Sequence, residues 1–171
     1  RVLLLFSGAY TRPDGLVAYL QRDDIEVVPV DNDPMLGDKS HDVLIDAFYS
    51  DLLRRAQRGE FLAVWPCSTF SVARFRRMAG GPPVVRRRQP DQIAQALDCP
   101  QKNRSEVRES NELVNCTINI LKAAHSAGSE FGIESPADHG DTNQPALFVD
   151  ADHAPLWVVP EIIALKTDTE C

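Results

Sequence analysis

Long hydrophobic runs, paired cysteines and internal repeats are all missing from this chain of 171 residues. Its apolar runs are far shorter than the roughly 20 residues that a membrane span needs, so we expect no membrane partner. The four cysteines form no Cys-x-x-Cys pair, which argues against a metal site such as structural zinc. Their wide spacing, with no secretory leader ahead of them, favours reduced thiols in an intracellular protein.

Acidic residues are missing from residues 74–88, although the whole chain has a net charge of −7. The same stretch contains six arginines, namely Arg74, Arg76, Arg77, Arg86, Arg87 and Arg88. An acidic protein that concentrates arginine in one stretch has a ready contact for nucleic-acid phosphates. A solvated basic loop that balances nearby acids is the alternative.

The composition that is present, 43% hydrophobic and 25% charged, is typical of a single globular domain. Buried strands are predicted over 2–6, 25–30, 61–65 and 131–133, helices over 14–21, 47–58 and 109–127, and a final helix or strand over 156–165. This alternation predicts an α/β fold with a Rossmann-like, mostly parallel sheet and helices on both faces. Residues 75–108, rich in Arg, Pro and Gly, are predicted to be a long excursion from that domain. The chain opens inside a strand-like run without Met, so we expect a piece of a larger polypeptide or complex.

Polar residues follow several of the predicted strands at the points where they end. Gly8 lies in the turn after the first strand, and Asp31 follows the second. Asp42 lies where we expect a third strand position, Cys67 follows strand 61–65, and Glu134 ends strand 131–133. The carboxyl ends of parallel strands share one rim of the sheet, where open α/β folds bind ligands. Cys67 there is a candidate nucleophile, and a small buried structural thiol is the alternative.

Four short segments, in chain order, are similar to motifs of the DNA cytosine-C5 methyltransferases. The specific match is Pro66-Cys67-Ser68-Thr69-Phe70-Ser71, which resembles the nucleophile loop of that family. The weaker matches are Leu5-Phe6-Ser7-Gly8, His41-Asp42-Val43 and Ile133-Glu134-Ser135-Pro136. With gaps, the resemblance covers residues 2–165.

The resemblance implies transfer of a methyl group from S-adenosylmethionine to C5 of a cytosine flipped out of DNA. It makes Cys67 the nucleophile that adds to C6, and Glu134 the group that contacts N3 and the exocyclic amine. The implied cofactor-binding residues are Phe6, Ser7 and Gly8 at the methionine portion, Asp31 at the ribose, Asp42 at the adenine amine, and Pro66. The implied nucleic-acid contacts are Ser71 and the six arginines of 74–88. Such a protein would act in a nuclear, viral or mobile-element setting.

The chain also departs from the family pattern. Gly15 is the next glycine after Gly8, Trp65 stands where the family has a first proline, and Ser135 replaces an asparagine. The Gln-x-Arg-x-Arg motif, a target-recognition domain and the terminal helix that completes the cofactor pocket are not found in the sequence. A catalytically inactive module of this fold that binds nucleic acid or protein therefore stays open. So does a Rossmann-like domain for another nucleotide, with a structural Cys67.

Overall fold

The predicted strands form one parallel sheet in the computed structural model, which describes residues 1–33, 35, 37–67, 88–89, 91, 93–95, 101–135, 140–148, 151 and 154–169. The elements in chain order are β1 (Val2–Leu5), α1 (Leu16–Arg22), β2 (Val27–Val30), α2 (Asp46–Gln57), β3 (Ala63–Pro66), a 3-10 turn (Gln101–Asn103), α3 (Arg104–Ser126), β4 (Glu130–Phe131), a second 3-10 turn (Leu156–Val158) and α4 (Pro160–Asp168). The α/β class predicted from the sequence is confirmed.

Residue contacts divide the chain into two compact units. The first comprises residues 1–69 and 116–134 and contains the sheet, α1, α2 and the second half of α3. The second comprises residues 70–115 and 135–171, where Leu156, Ile162 and Leu165 are buried around α4. Most of the predicted excursion over 75–108 lies outside the described residues.

The four strands lie in the order β2-β1-β3-β4, and every neighbouring pair is parallel. In the register of β1 with its two neighbours, Leu5 pairs with Val30 on one side and with Pro66 on the other. β2 stands at one edge of this sheet and contains Pro29. The chain leaves β1 toward β2 and then returns to the opposite side of β1 with β3, so the direction of winding reverses between β1 and β3.

The core of the first unit covers both faces of the central strands. Leu3, Leu4 and Leu5 are each at most 1% exposed, and successive side chains of a strand point to opposite faces. Right-handed crossovers place α1 on one face and α2 and α3 on the other. A hydrogen bond of 3.2 Å from Asn119 to the Tyr49 hydroxyl joins α3 to α2, in agreement with that placement.

Two sequence predictions differ from the observed elements. Residues 42–45, expected at a third strand position, form turns that lead into α2. Asp42 starts such a turn, because its carboxylate accepts the Leu44 N–H at 2.9 Å and its carbonyl accepts the Ile45 N–H at 2.9 Å. Local side-chain bonds of this kind compete with strand formation. The other difference is that α3 begins at Arg104, inside the predicted excursion.

Candidate functional site

The carboxyl ends of all four strands lie at one rim of the sheet, within the first unit. In open parallel sheets, ligands bind outside this rim at the point where the strand order reverses. Here that point lies between β1 and β3, so the turn after β1 and the loop after β3 flank it. The turn contains Phe6, Ser7 and Gly8, and the loop begins at Cys67. The topology therefore brings together two of the motifs that the sequence analysis singled out.

The turn after β1 has an unusual backbone. Phe6 has φ 58° and Gly8 has φ 68°. The left-handed region suits glycine but is rarely occupied by a bulky residue, and such conformations concentrate at ligand sites. A hydrogen bond of 3.2 Å from the Ser7 N–H to the Val30 carbonyl holds the turn against β2. Apart from the two chain neighbours of Gly8, no described residue places an atom within 4 Å of the position that a Cβ on Gly8 would occupy. These residues leave room for a ligand to approach the backbone.

Asp31, at the end of β2, is a buried carboxylate that is only 7% exposed. One of its oxygens accepts the Gly8 N–H at 2.9 Å, and the other accepts the Asp33 N–H at 2.9 Å. Asp31 therefore ties the turn after β1 to the loop after β2. Each oxygen keeps one lone pair for a further donor, so a direct contact with a ribose diol depends on those remaining lone pairs.

Cys67 directly follows β3 and stays paired with β1 through its backbone. Its N–H donates to the Leu5 carbonyl at 2.8 Å, and its side chain is half-buried as a thiol outside any disulfide. Burial raises the pKa of the Cys67 thiol, and the negative charges of Glu134 and then Asp31 raise it further. The structure thus brings Cys67, Glu134 and Asp31 within electrostatic reach of one another, and this environment disfavours the thiolate.

Pro66 is buried at the end of a strand that has neighbours on both sides. The carbonyl of Val64 accepts the Gly132 N–H at 3.3 Å, so the even-numbered residues of β3 direct their polar backbone groups toward β4. Pro66 has the same orientation but has no N–H, and the β3–β4 ladder loses a donor there. This end of the ladder lies beside Cys67.

The structure adds an aromatic cluster that sequence reasoning did not assign to the site. The Tyr10 hydroxyl lies 3.4 Å from the Asp31 carbonyl and 3.3 Å from Nδ1 of His41. The His41 ring stacks on Phe48 with 5.1 Å between centroids. Burial, as the largest cause, raises the pKa of Tyr10. The glycine at position 37 was the one sign of this cluster in the sequence. In the structure, a Cβ at Gly37 would come within 2.7 Å of the Tyr10 hydroxyl oxygen.

Other predicted site residues are placed differently or fall outside the described residues. Asp42 caps its own turn and is not among the charges that act on Cys67. Ser71 and five of the arginines (Arg74, Arg76, Arg77, Arg86 and Arg87) lie outside the described residues. Arg88 is described, is half-buried, and belongs to the second unit.

The described residues contain neither a metal-binding cluster nor a membrane-spanning helix. Among them, no group of three or more His, Cys, Asp or Glu side chains is arranged to hold a metal ion. No helix in the same part of the chain is long and apolar enough to cross a membrane. Comparison of the chain with protein-family models, curated proteins and solved structures found no match.

Proposed function

We propose that this protein is a cytosine-C5 methyltransferase-like domain that acts on nucleic acid, with Cys67 as nucleophile and Glu134 as the base-contacting acid. The observation that carries the proposal is the joint placement of Cys67 and Glu134 at the carboxyl rim, beside the switch point of the sheet and within electrostatic reach of each other. A structural thiol does not require a carboxylate at such a place.

The site fits S-adenosylmethionine in two respects. The described residues leave the space above Gly8 open, so the methionine portion would have room against the backbone. Asp31 and Glu134 supply negative charge beside Cys67, where the positive charge of the cofactor's sulfonium would be stabilised. When bound, the cofactor supplies an electrophilic methyl group. Phe6, Ser7 and Gly8 would hold the amino-acid end of the cofactor, Asp31 would lie at the ribose, and Pro66 would contact the cofactor at the rim. The contact of Asp42 with the adenine amine is implied by the resemblance alone.

The chemistry proposed for this chain begins with the loss of the proton from the Cys67 thiol. The raised pKa keeps the thiol protonated at neutral pH in the free protein, so the nucleophile is activated only when a cationic ligand offsets the two carboxylates. The thiol proton then passes to solvent and the thiolate adds to C6 of the base, which makes C5 nucleophilic. Glu134 holds the N3 and amine edge meanwhile. Once C5 carried the methyl group that the cofactor would supply, loss of the C5 proton to a water molecule would expel the Cys67 thiolate from C6 and regenerate the nucleophile.

Trapping with a fluorinated base tests this proposal. An oligonucleotide with 5-fluorocytosine cannot lose a proton at C5, so with S-adenosylmethionine we expect a denaturation-resistant adduct on the Cys67 peptide, detected by mass spectrometry. Cys67→Ser should abolish it, and Glu134→Gln should reduce it by about tenfold or more. Cys116→Ser is the matched control, because Cys116 is another half-buried thiol, and it should leave the adduct intact. Absence of the adduct together with absence of cofactor binding in calorimetry would contradict the proposal.

A second candidate is the catalytically inactive module. The hydrogen bonds of Asp31 to Gly8 and Asp33, together with the raised thiol pKa, favour it, since both are compatible with a purely structural rim. This candidate predicts salt-dependent nucleic-acid binding that Cys67→Ser leaves unchanged and that replacing Arg86, Arg87 and Arg88 weakens. A binding titration at two salt concentrations, run on the same variants, separates the two candidates.

A further inference from the structure

Beyond the last backbone bond between β3 and β4, the two strands are joined by a side-chain contact. The Trp65 ring lies against the backbone of Gly132, so closely that a Cβ on Gly132 would come within 2.7 Å of three ring carbons. Gly132 is therefore required by the ring above it, since its own Cα–H surface is the only one that fits. Trp65 itself is 39% exposed.

The contact lies between the end of the ladder and the candidate active site. The register pairs Val64 with Phe131, so Trp65 and Gly132 are the next residues along each strand. Cys67 and Glu134 follow them by the same two positions. Because Pro66 offers no N–H toward β4, no backbone donor of β3 fixes the spacing at that level.

We infer that Trp65 and Gly132 act together as a spacer that sets the separation of Cys67 from Glu134. Trp65 is thus a positioning residue and touches no reacting atom. A larger residue at position 132 displaces the ring and moves the two strand ends apart, and loss of the ring leaves them without a fixed separation. The effect of this spacing on catalysis rests on the proposed function, whereas the spacing itself rests on the contact between Trp65 and Gly132.

The reactivity of the Cys67 thiol reports this spacing without any methyl transfer. At about pH 8 the rate of alkylation follows the thiolate fraction, and the Glu134 charge suppresses that fraction. In the otherwise native chain, Glu134→Gln should therefore raise the alkylation rate of the Cys67 peptide about threefold. Mass spectrometry resolved by peptide distinguishes Cys67 from the other cysteines. This ratio of rates, with and without the Glu134 charge, is the measure of coupling.

Gly132→Ala should bring the ratio close to one, because the new methyl group cannot occupy the space of the ring. Trp65→Phe combined with Gly132→Ala should restore most of the ratio, since the smaller ring lacks the atoms that the methyl group meets. Leu62→Ala, which alters another exposed apolar residue beside β3, is the control and should keep the threefold ratio. Circular dichroism checks that each variant is folded.

An unchanged ratio in folded Gly132→Ala would overturn the inference. If that variant does not fold, Trp65→Ala takes its place, and an unchanged ratio there would be equally decisive. A failure of the fluorocytosine trap with the coupling intact contradicts the proposed function alone. A normal trap with no effect of position 132 on the ratio contradicts the spacer alone.

Discussion

Acidic side chains at the two rims of the sheet have different hydrogen-bond partners. At the amino rim, Glu26 and Glu60 have basic partners: Arg1 Nε donates to Glu26 at 2.8 Å, and Arg55 Nε donates to Glu60 at 3.0 Å. At the carboxyl rim, Asp31 accepts backbone N–H groups, and in the described part of the chain neither Asp31 nor Glu134 forms an ion pair with a lysine or arginine.

This difference bears on which rim is suited to a positively charged ligand. Acids that are matched by nearby guanidinium groups stabilise the fold slightly and leave no net charge for a ligand. Burial and the charges of Glu134 and Asp31 raise the pKa of the Cys67 thiol and so favour its neutral form. A cationic ligand at the carboxyl rim would offset the charges of Asp31 and Glu134, whereas Glu26 and Glu60 already have arginine partners.

Among variants that test the contrast between the two rims, Asp31→Ala should have the largest effect on stability. The change removes the acceptor for two backbone N–H groups at a buried position, and we expect a loss of about 3 kcal/mol in the free energy of unfolding. Urea unfolding measures it. Asp31→Asn is the control, because it keeps one acceptor oxygen and should lose less. A loss below about 1 kcal/mol for the alanine variant would mean that Asp31 is no clamp.

Glu60→Gln at the amino rim should have a much smaller effect. Glu60 pairs with Arg55 at 3.0 Å and more distantly with Arg1 at 3.8 Å, and all three side chains are partly exposed. Such pairs contribute less than about 1 kcal/mol and are screened by salt. Urea unfolding at low and high salt tests both points. A loss as large as that of Asp31→Ala would erase the proposed difference between the rims.

The smallest effect concerns the pH dependence of stability. Folding raises the pKa of Cys67 above its ordinary value of 9.0, so the unfolded chain releases this proton first and is favoured as the pH rises through that range. The native protein should therefore lose stability more steeply than Cys67→Ser between about pH 8 and about pH 10. Chemical unfolding of the two proteins across this range measures the difference. Parallel curves would show that the rim does not act on the thiol.

The backbone of the first unit was largely predictable, because its signals are local. The apolar runs placed β1, β2 and β3 within two residues of their observed ends, and the periodicity over 109–127 located most of α3. The prediction at Asp42 was wrong, since the side-chain bond to the Leu44 N–H converts a strand-like run into a turn. The start of α3 was missed because no alternating or helical pattern was recognised before Glu109.

For the candidate site, the sequence predicts which residues share the rim but not the contacts that they make. Sequence order and topology are enough to place Cys67 and Glu134 at one rim. They do not show that the carboxylate of Asp31 faces backbone donors, nor that the ring of Trp65 lies on Gly132, 67 positions away along the chain. Both facts depend on packing between strands that are distant in sequence.

Pro29 has a consequence for how this sheet meets other protein molecules. The Glu26 and Val30 carbonyls point toward β1, so the backbone groups of Pro29 face away from the sheet. The outer side of β2 therefore lacks a donor in the middle of the strand. A strand from a second molecule could not extend the sheet there without leaving one of its carbonyls unbonded. One imino acid thus disfavours the pairing of a further strand with the outer side of β2.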